Sequence, residues 1–202
     1  MLDMGCGTGV LCVPASRFVR SVVAVDSDPG LLAGARAWAE REKRTNVTFY
    51  RQSLLELEPD SFDIVICSDV IEHVADQDEV AAAISRSLAP KGVYYLSTNN
   101  RWWPMEGHFG LPLLSWLPRS WADRYVRFMG RGAQYDIYPL SLSQLLGLLA
   151  RHGLAWTLTP PVRPHTRLYR LGKRLVERDP SWWKFANAFQ IVGRRSEAAR
   201  RL

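Results

Sequence analysis

The sequence has no apolar run long enough to cross a bilayer, and it does not begin with the charged-then-apolar pattern of a signal peptide. Cysteine is scarce: Cys6, Cys12 and Cys67 are odd in number and do not have the spacing of metal ligands. Apart from the isolated pair Asp76 and Asp78, carboxylates and histidines show no ligand spacing either. The three cysteines argue against a disulfide-stapled domain, so we expect a protein of the reducing cytoplasm without a metal site.

The sequence also lacks internal repeats and low-complexity tracts. At 202 residues, with 47% hydrophobic and 23% charged residues, it has the composition of an ordinary globular protein. A chain of this length can bury a full core without disulfides or metal. We therefore expect residues 1–202 to form a single domain.

Charge is distributed unevenly along the chain. Residues 1–100 carry nine Lys and Arg against fourteen Asp and Glu, a net charge of −5, whereas residues 101–202 carry seventeen against six, a net charge of +11. Seven of the eight tryptophans also lie in the second half. This asymmetry indicates cofactor binding in the first half and contact with an anionic or interfacial partner in the second. A merely solvated basic surface is the alternative.

Short apolar segments alternate with amphipathic ones along the chain. This alternation is typical of a doubly wound α/β fold, a parallel sheet with helices on both faces. Pro29 marks a helix start, and Pro90 and Gly92 stop a later helix. The predicted strands are 1–4, 21–26, 47–52, 62–67, 93–98, 154–159 and 183–192, and the predicted helices are 10–20, 29–43, 78–88, 142–152 and 166–178.

Two features depart from this rhythm. Residues 99–136 are rich in Trp, Pro and Gly, and we expect an inserted loop with short helices there. Only two residues precede Asp3, although a strand usually has about five residues. We therefore expect that residues upstream of Met1 have been lost, mis-assigned or removed.

A glycine-rich turn follows the first predicted strand, since residues 3–9 read Asp-Met-Gly-Cys-Gly-Thr-Gly. Glycines let backbone N–H groups and a helix N-terminus come close to a ligand. The next strand ends at Asp26, whose carboxylate can accept hydrogen bonds from both hydroxyls of a ribose. The spacing differs from the Gly-x-Gly-x-x-Gly of dinucleotide-binding proteins, and the preceding Asp3 suits a ligand with an ammonium group. An ordinary glycine-rich turn is the alternative.

These motifs resemble those of the class I S-adenosylmethionine-dependent methyltransferases, and most of all the ubiquinone-pathway O-methyltransferases and many sugar and polyketide methyltransferases. The resemblance covers nearly the whole chain and implies a Rossmann-like, mostly parallel seven-stranded sheet. The sequence departs from the family in the absent N-terminal helices, in Ser53 and in the long segment 99–136. The resemblance rests on residues 2–9, 25–26, 62–74, 88–92, 138–141 and 152–154.

The resemblance implies S-adenosyl-L-methionine as cofactor. Asp3 would hold the methionine ammonium group, partly through water, and Asp26 would accept the ribose hydroxyls. After the third strand the family has an aspartate that accepts the adenine amino group. Here Ser53 takes that place, so we expect a weaker contact or one made by the backbone. The implied cofactor-binding residues are Asp3, Gly5, Cys6, Gly7, Thr8, Gly9, Asp26, Ser27, Ser53, Leu54, Ser68 and Asp69.

Two histidines are candidate catalytic residues. His73 follows the end of a central strand, where open α/β sheets bind their ligands, and histidine titrates near neutral pH. It is therefore a candidate general base, and the alternative is that it caps a turn or packs under the adenosine. His108, in the inserted segment, is the second candidate. Methylation through Cys67 is disfavoured, because Ile66 stands where cysteine-dependent pyrimidine methylases have a proline.

Residues 99–136 lie where class I enzymes build the acceptor pocket, so the resemblance implies a substrate lid with Arg101, Glu106 and His108 as polar groups. Three interpretations of its aromatic residues stay open: they line a pocket, they lie in a membrane interface, or they roof the core. The interfacial interpretation places peripheral membrane contact within residues 102–131. It uses Trp102, Trp103, Leu113, Leu114 and Trp116 together with Arg119, Arg124 and Arg127.

The sequence thus predicts methyl transfer from S-adenosylmethionine to a small or lipid-linked acceptor, at oxygen rather than nitrogen or carbon. The protein would be cytoplasmic, and peripheral at the membrane under the interfacial interpretation. A catalytically silent nucleoside-binding or scaffold protein is one alternative. An RNA methyltransferase, suggested by the basic second half, is the other. Nucleic acid is disfavoured as a partner, because the sequence lacks the Pro-Cys pair and the Asn/Asp-Pro-Pro-aromatic motif of nucleobase methylases.

Overall fold

The computed structural model describes residues 1–51, 61–159, 186 and 188–196. The helices are α1 (Cys12–Ala15), α2 (Pro29–Arg41), α3 (Gln77–Ser87), α4 (Arg119–Phe128) and α5 (Leu142–Arg151). The strands are β1 (Leu2–Met4), β2 (Val22–Asp26), β3 (Val47–Arg51), β4 (Phe62–Ser68), β5 (Leu88–Asn99), β6 (Met105–Glu106), β7 (Leu111–Pro112), β8 (Leu154–Leu158) and β9 (Ala188–Arg195).

Seven of these strands form one sheet in the order β3-β2-β1-β4-β5-β9-β8. Strands β1 to β5 run parallel, and β9 is antiparallel to both of its neighbours, β5 and β8. The chain crosses from β2 and β3 on one side of β1 to β4 and β5 on the other. This arrangement confirms the predicted doubly wound, mostly parallel seven-stranded sheet.

Strand β1 is the centre of the sheet, and all three of its residues are buried. Its side chains alternate between two layers: Leu2 and Met4 join the core under α3 and α5, while Asp3 points to the opposite face. That opposite face carries the second core cluster, which α1 and α2 share with β2. Helices thus cover both faces, and the carboxyl ends of β1, β2 and β4 meet at one edge of the sheet.

Side-chain caps fix where the helices begin. The Asp28 carboxylate accepts the N–H groups of Gly30 and Leu31 at the start of α2. Asp76 caps α3 in the same way. Ser141 and Gln144 form a reciprocal capping box at the start of α5. Each cap satisfies N–H groups that the first helical turn leaves without a partner, so the helix starts follow from local sequence.

The first helix is much shorter than predicted: a helix was expected at 10–20, but α1 spans only Cys12–Ala15. The chain tightens after it, because Arg17 and Phe18 donate to carbonyls three residues back and Ser16 Oγ donates to the Val13 carbonyl. Strand β5 begins at Leu88, where a helix end was predicted. The predicted helix 166–178 lies outside the described residues.

Residues 99–136 contain more structure than a loop. They form the two-stranded β6–β7 hairpin, a 3₁₀ turn at Leu114–Trp116 and α4. The segment has a hydrophobic core of its own, separate from the two clusters that flank the sheet. The buried members of that core are Leu111, Leu114, Ala122, Val126, Tyr135 and Ile137. Within the described ranges, no helix has the length and apolarity needed to span a bilayer.

Candidate functional site

The glycine-rich turn connects β1 to α1 at the carboxyl edge of the sheet. Gly5, Gly7 and Gly9 all have positive φ, at 68°, 53° and 85°. A Cβ on Gly5 would lie 2.5 Å from Val70 Cγ2, so a side chain there would collide with the segment that leaves β4. Glycine is therefore required at this position both by backbone conformation and by close packing.

The turn is tied to the end of β2 through the Asp26 carboxylate. The Gly7 N–H donates to Asp26 Oδ2 at 2.8 Å, and the Asp28 N–H donates to Asp26 Oδ1 at 2.9 Å. A carboxylate oxygen has two lone pairs, so each oxygen keeps the capacity to accept one more hydrogen bond. Two neighbouring hydroxyl groups are the ligand that matches this pair of acceptors.

A cavity of about 860 Å³ opens beside this turn and extends to the residues that follow β4. Among the predicted site residues, it is lined by Gly5, Gly7, Asp26, Ser27, Asp69 and His73. Ser53 and Leu54 lie outside the described residues.

The remaining predicted site residues are described but do not line the cavity: Asp3, Cys6, Thr8, Gly9, Ser68 and His108. The lining that sequence reasoning did not name is Val25, Asp28, Leu31, Arg51, Val70, Val74, Glu79 and Val80.

Asp3 lies beneath the turn rather than on the cavity wall. It is 2% exposed, and its Oδ2 has no hydrogen-bond partner. Burial raises the pKa of Asp3 to about 6, although hydrogen bonds from Cys12 act in the opposite direction. A buried carboxyl with an unused oxygen beside the glycine turn is suited to a cation or to a water that bridges to one.

Asp69, just after β4, is held by two serines. Ser97 Oγ donates to Asp69 Oδ1 at 3.0 Å, and Ser68 Oγ lies 2.8 Å from Ser97 Oγ and 3.4 Å from Asp69 Oδ2. Asp69 has a φ of 55°, an uncommon conformation for a residue other than glycine. Sequence reasoning missed Ser97, because the pairing of β4 with β5 brings it beside Ser68 from 29 residues away.

Glu72 is a buried carboxylate behind the cavity wall. Its Oε2 accepts from Thr98 Oγ1 at 2.9 Å, while its Oε1 has no partner. Burial raises its pKa above the usual range. The sequence analysis assigned no role to Glu72. The adjacent Glu72-His73 pair was the sequence signal that could have identified it as a candidate.

The two candidate histidines come together although 35 residues separate them. The rings of His73 and His108 are perpendicular, with centroids 4.8 Å apart. His108 Nδ1 lies 3.1 Å from Glu106 Oε1. The Asn99 amide nitrogen lies farther from His108 Nδ1, at 3.4 Å. Donor atoms of Glu72, His73 and His108 all lie within 4.8 Å of one another.

The ionisation of these groups is set by burial and by their partners. The hydrogen bond to Glu106 raises the pKa of His108, whereas burial and the charge of His108 lower the pKa of His73. Burial acts to raise the pKa of Glu106, but hydrogen bonds from His108 and Phe109 outweigh it and lower that pKa. The two shifts run in opposite directions, so His108 takes up a proton more readily than His73.

Cys67 does not have the character of a nucleophile. It is fully buried, and burial, followed by the charges of Glu72, Asp3 and Asp69, raises its pKa far above the usual range. A thiol that stays protonated cannot attack an acceptor base. This observation agrees with the expectation that methylation does not run through cysteine.

The inserted segment exposes aromatic and apolar side chains beyond the cavity. Trp102, Trp103 and Trp116 are 49%, 36% and 43% exposed, and Trp102 packs edge-on against Trp116. The expectation that Leu114 belongs to this exposed set is wrong, because Leu114 is fully buried in the core of the segment. The helix α4 adds Trp121 and Phe128 to the exposed set.

Only part of the predicted basic flank is free to contact a partner. Arg119 donates to the Ile137 carbonyl at 2.9 Å and lies over the rings of Tyr135 and Tyr138. It therefore fastens α4 to the chain that follows the segment. Arg127 is also engaged, since it donates to the Ala133 carbonyl at 3.1 Å, whereas Arg124 and Arg131 are exposed basic side chains that remain for such a contact.

A family model described as a methyltransferase domain matches residues 2–96. The chain is similar to the ubiquinone biosynthesis O-methyltransferase of Bradyrhizobium sp. (strain ORS 278), with 36% identity over 127 residues that cover 59% of this chain and 49% of the relative. The protein of the same description from Bartonella tribocorum is 34% identical over 136 residues, which cover 64% of this chain and 53% of the relative. The chain thus spans about half the length of these curated relatives.

Solved structures share the fold at lower identity. An S-adenosylmethionine dependent methyltransferase from Mesorhizobium loti has a TM-score of 0.67 and 20% sequence identity, and the match covers 96% of this chain and 89% of that one. The putative S-adenosylmethionine dependent methyltransferase from Listeria monocytogenes has a TM-score of 0.66 and 18% identity, covering 97% and 89%. At such identities these structures show the fold alone.

Proposed function

Because this chain belongs to the class I S-adenosylmethionine-dependent methyltransferases, we propose that its cavity binds S-adenosyl-L-methionine and that the protein methylates an oxygen of its acceptor. The observation that carries the proposal is the Asp26 carboxylate. Both of its oxygens accept backbone N–H groups, each can accept one more hydrogen bond, and Asp26 lines the cavity. A preorganised acceptor of this kind fits the two hydroxyls of a ribose.

The residues around the cavity fit the rest of the cofactor as well. Gly5 and Gly7 supply a wall without side chains, and Val25, Leu31 and Val70 supply apolar surface for a planar base. The unpartnered Oδ2 of Asp3 supplies a negative group for the methionine ammonium, directly or through water. Ribose, adenine and amino-acid portions would each meet a group of suitable chemistry.

When bound, S-adenosylmethionine supplies a sulfonium methyl group whose C–S bond breaks as the acceptor oxygen forms the new O–C bond, the electron pair staying on sulfur. The chain's own contribution is alignment, exclusion of water and removal of the hydroxyl proton. His73 and His108 are the groups suited to that last task, since His73 lines the cavity and the ring of His108 lies against it.

We assign the choice of acceptor to residues 99–136. This segment carries His108 and Glu106 on the β6–β7 hairpin, and its exposed tryptophans lie beyond them. So much exposed aromatic surface suits an amphipathic or lipid-linked acceptor better than a small, freely soluble one. Exposed arginines near these tryptophans favour peripheral contact with an anionic membrane surface.

The test of the proposed function begins with cofactor affinity. Titration calorimetry with S-adenosylhomocysteine is expected to show binding to the parent and a loss of roughly 10- to 100-fold in Asp26→Ala, because two charge-assisted hydrogen bonds disappear. Glu40→Ala, at an exposed acidic position on α2, is the matched control and should bind like the parent. Equal affinity in Asp26→Ala and the parent would refute the assignment of the cavity.

Methyl transfer is tested separately from binding. A protein that binds S-adenosylhomocysteine but methylates no hydroxyl-bearing probe would support the catalytically silent alternative. The RNA alternative predicts a steep salt dependence of binding to RNA, since phosphate contacts release counterions. The acidic groups around the candidate histidines, Asp69, Glu72 and Glu106, argue against a phosphate-rich acceptor at this position.

A further inference from the structure

The β6–β7 hairpin holds a glutamate and a histidine in one fixed geometry. Glu106 pairs with Leu111 across the hairpin, and Leu111 is buried in the core of the inserted segment. Glu106 is 5% exposed. One of its oxygens lies 3.1 Å from His108 Nδ1, and the other accepts the Phe109 N–H at 2.6 Å. With both oxygens engaged, the carboxylate has a single orientation and holds the imidazole in place.

This hydrogen bond determines which nitrogen of His108 is free. An ionised carboxylate can only accept, so Nδ1 of His108 must carry a proton and Nε2 is left as the acceptor. The ring stands edge-on against His73, with centroids 4.8 Å apart. Because His73 lines the cavity, the free nitrogen of His108 belongs to a ring that lies directly beside the cavity wall.

His73 has no equivalent partner. In the described part of the chain, no carboxylate forms a hydrogen bond with its ring, and Asp69, Glu106 and Asp136 act on it only through longer-range charge. A histidine that takes a proton becomes a cation, and a hydrogen-bonded carboxylate stabilises that cation. Of the two histidines, His108 is therefore the better proton acceptor.

We propose that His108 removes the proton of the acceptor hydroxyl, that Glu106 is its positioning residue, and that His73 forms the wall against which the acceptor lies. The inference rests on the proposed methyl transfer to oxygen and names the residues that carry it. The O–H bond breaks, its proton goes to Nε2 of His108, and its electron pair stays on oxygen for the new O–C bond. The resulting imidazolium is paired with Glu106 and returns the proton to water after turnover.

The surrounding charges act in the same direction. Beyond Glu106, the carboxyl groups of Glu72 and Asp69 also raise the pKa of His108, while partial burial opposes them. The hairpin itself is anchored away from the reacting atoms by the core of the inserted segment. A carboxylate that contacts histidine but not the acceptor can be altered with little effect on acceptor binding.

The first test does not require turnover. Nitrogen-15 NMR of the histidine rings, recorded on the protein saturated with S-adenosylhomocysteine, should show Nδ1 of His108 protonated and hydrogen-bonded. Glu106→Gln should abolish that signature, Glu106→Asp should retain it in part, and His73→Asn should leave it in place. An unchanged His108 signal in Glu106→Gln would overturn the positioning role.

The second test measures methylation of a long-chain alkylcatechol, an amphipathic hydroxyl-bearing probe that matches the proposed acceptor class. We expect kcat to fall by roughly 10²- to 10⁴-fold in His108→Asn, with KM and the affinity for S-adenosylhomocysteine near parental values. Glu106→Gln should likewise lower kcat with little change in KM, and Glu106→Asp should recover part of the lost kcat. His73→Asn should lower kcat less than His108→Asn does. A larger loss in His73→Asn than in His108→Asn would overturn the assignment.

Two further outcomes separate this inference from its premises. A parent protein that binds S-adenosylhomocysteine but leaves the alkylcatechol unmethylated would count against the proposed oxygen transfer, while the NMR comparison of the parent with Glu106→Gln would still decide the positioning role. Titration of the protein with Mg²⁺ or Zn²⁺ covers the other possibility. Tight metal binding that is lost in His108→Asn would show that this ring holds a cation instead, and would overturn the proposal.

Discussion

Asp3 places an ionisable carboxyl group in the buried centre of the sheet. It lies in the central strand with 2% of its surface exposed, and burial of a charged carboxylate there costs more free energy than burial of a neutral side chain. Burial raises its pKa to about 6. The neighbouring thiols Cys6 and Cys12 are also buried, so the base of the glycine turn contains polar groups with little access to water.

This environment makes stability depend on pH. Between about pH 4 and pH 6 the folded protein keeps a proton on Asp3 that the unfolded chain releases, so the free energy of unfolding falls as pH rises through that interval. The loss amounts to up to about 3 kcal/mol for a two-unit shift. Asp3→Asn should remove this slope in urea denaturation series, whereas Asp63→Asn, at an exposed position, should retain it.

The same variant reports on the proposed role of Asp3 in binding. If Asp3 holds an ammonium group, Asp3→Asn should bind S-adenosylhomocysteine more weakly than the parent at pH 8, and the difference should shrink below pH 6. Parental stability slopes in Asp3→Asn would show that this carboxyl is not the titrating group.

At the scale of elements, the inserted segment behaves as a unit with its own core. Its ends are joined near the sheet, since Asn100 pairs with Leu140 and the Arg101 N–H donates to the Leu140 carbonyl. Arg119 adds a third connection through the Ile137 carbonyl. The proposed lid is therefore a preformed substructure, and whatever movement it makes would involve the joined ends rather than the interior.

A neighbouring pair of leucines tests that independence. Leu114 is fully buried in the core of the segment, whereas the adjacent Leu113 is 45% exposed. Leu114→Ala should destabilise the segment by about 2–4 kcal/mol through the cavity it leaves, and Leu113→Ala by much less. Hydrogen exchange should show faster exchange of the α4 amides in Leu114→Ala, with the β1 and β4 amides protected as in the parent. Equal loss of protection in the sheet would mean that the segment and the sheet unfold together.

For the whole molecule, charge and tryptophan are distributed unevenly along the chain. The first hundred residues carry a net charge of −5 and build the proposed cofactor cavity, while the remainder carries +11 and exposes most of the tryptophans. Tryptophans flanked by arginines suit the headgroup region of an anionic bilayer, where the rings bury their apolar area and the guanidinium groups stay hydrated.

Sedimentation with vesicles tests this arrangement. The parent should pellet with phosphatidylglycerol-containing vesicles at low salt, less so at high salt, and hardly with phosphatidylcholine vesicles, because charge attraction is screened by ions. The variant with Trp102→Ser, Trp103→Ser and Trp116→Ser should lose most of this binding. Trp156→Ser, which removes a comparably exposed tryptophan from β8, is the matched control and should bind like the parent. A parent that stays in the supernatant at low salt would exclude membrane docking, and the segment would then be better interpreted as a lid over an apolar acceptor.

The sequence by itself determined the sheet, most helices and the position of the glycine turn, because these depend on local signals. Apolar alternation, the Asp28 and Ser141 caps and the three glycines act within a few residues of where they stand. The place of Asp26 beside the glycine turn could be predicted for the same reason, because it ends the strand that follows the turn. The short α1 was mispredicted, because apolar periodicity does not reveal a tightened turn.

Only the tertiary structure decided how the inserted segment is built and what it brings to the site. The pairing of Ser97 with Asp69, the burial of Glu72 and Leu114, and the contact between His73 and His108 all join residues far apart in sequence. Each depends on strand register or on a hairpin folding back over the sheet edge, which no local pattern encodes. The same holds for Asp3: its type was visible in the sequence, but its pKa depends on how deeply the surrounding layers bury it.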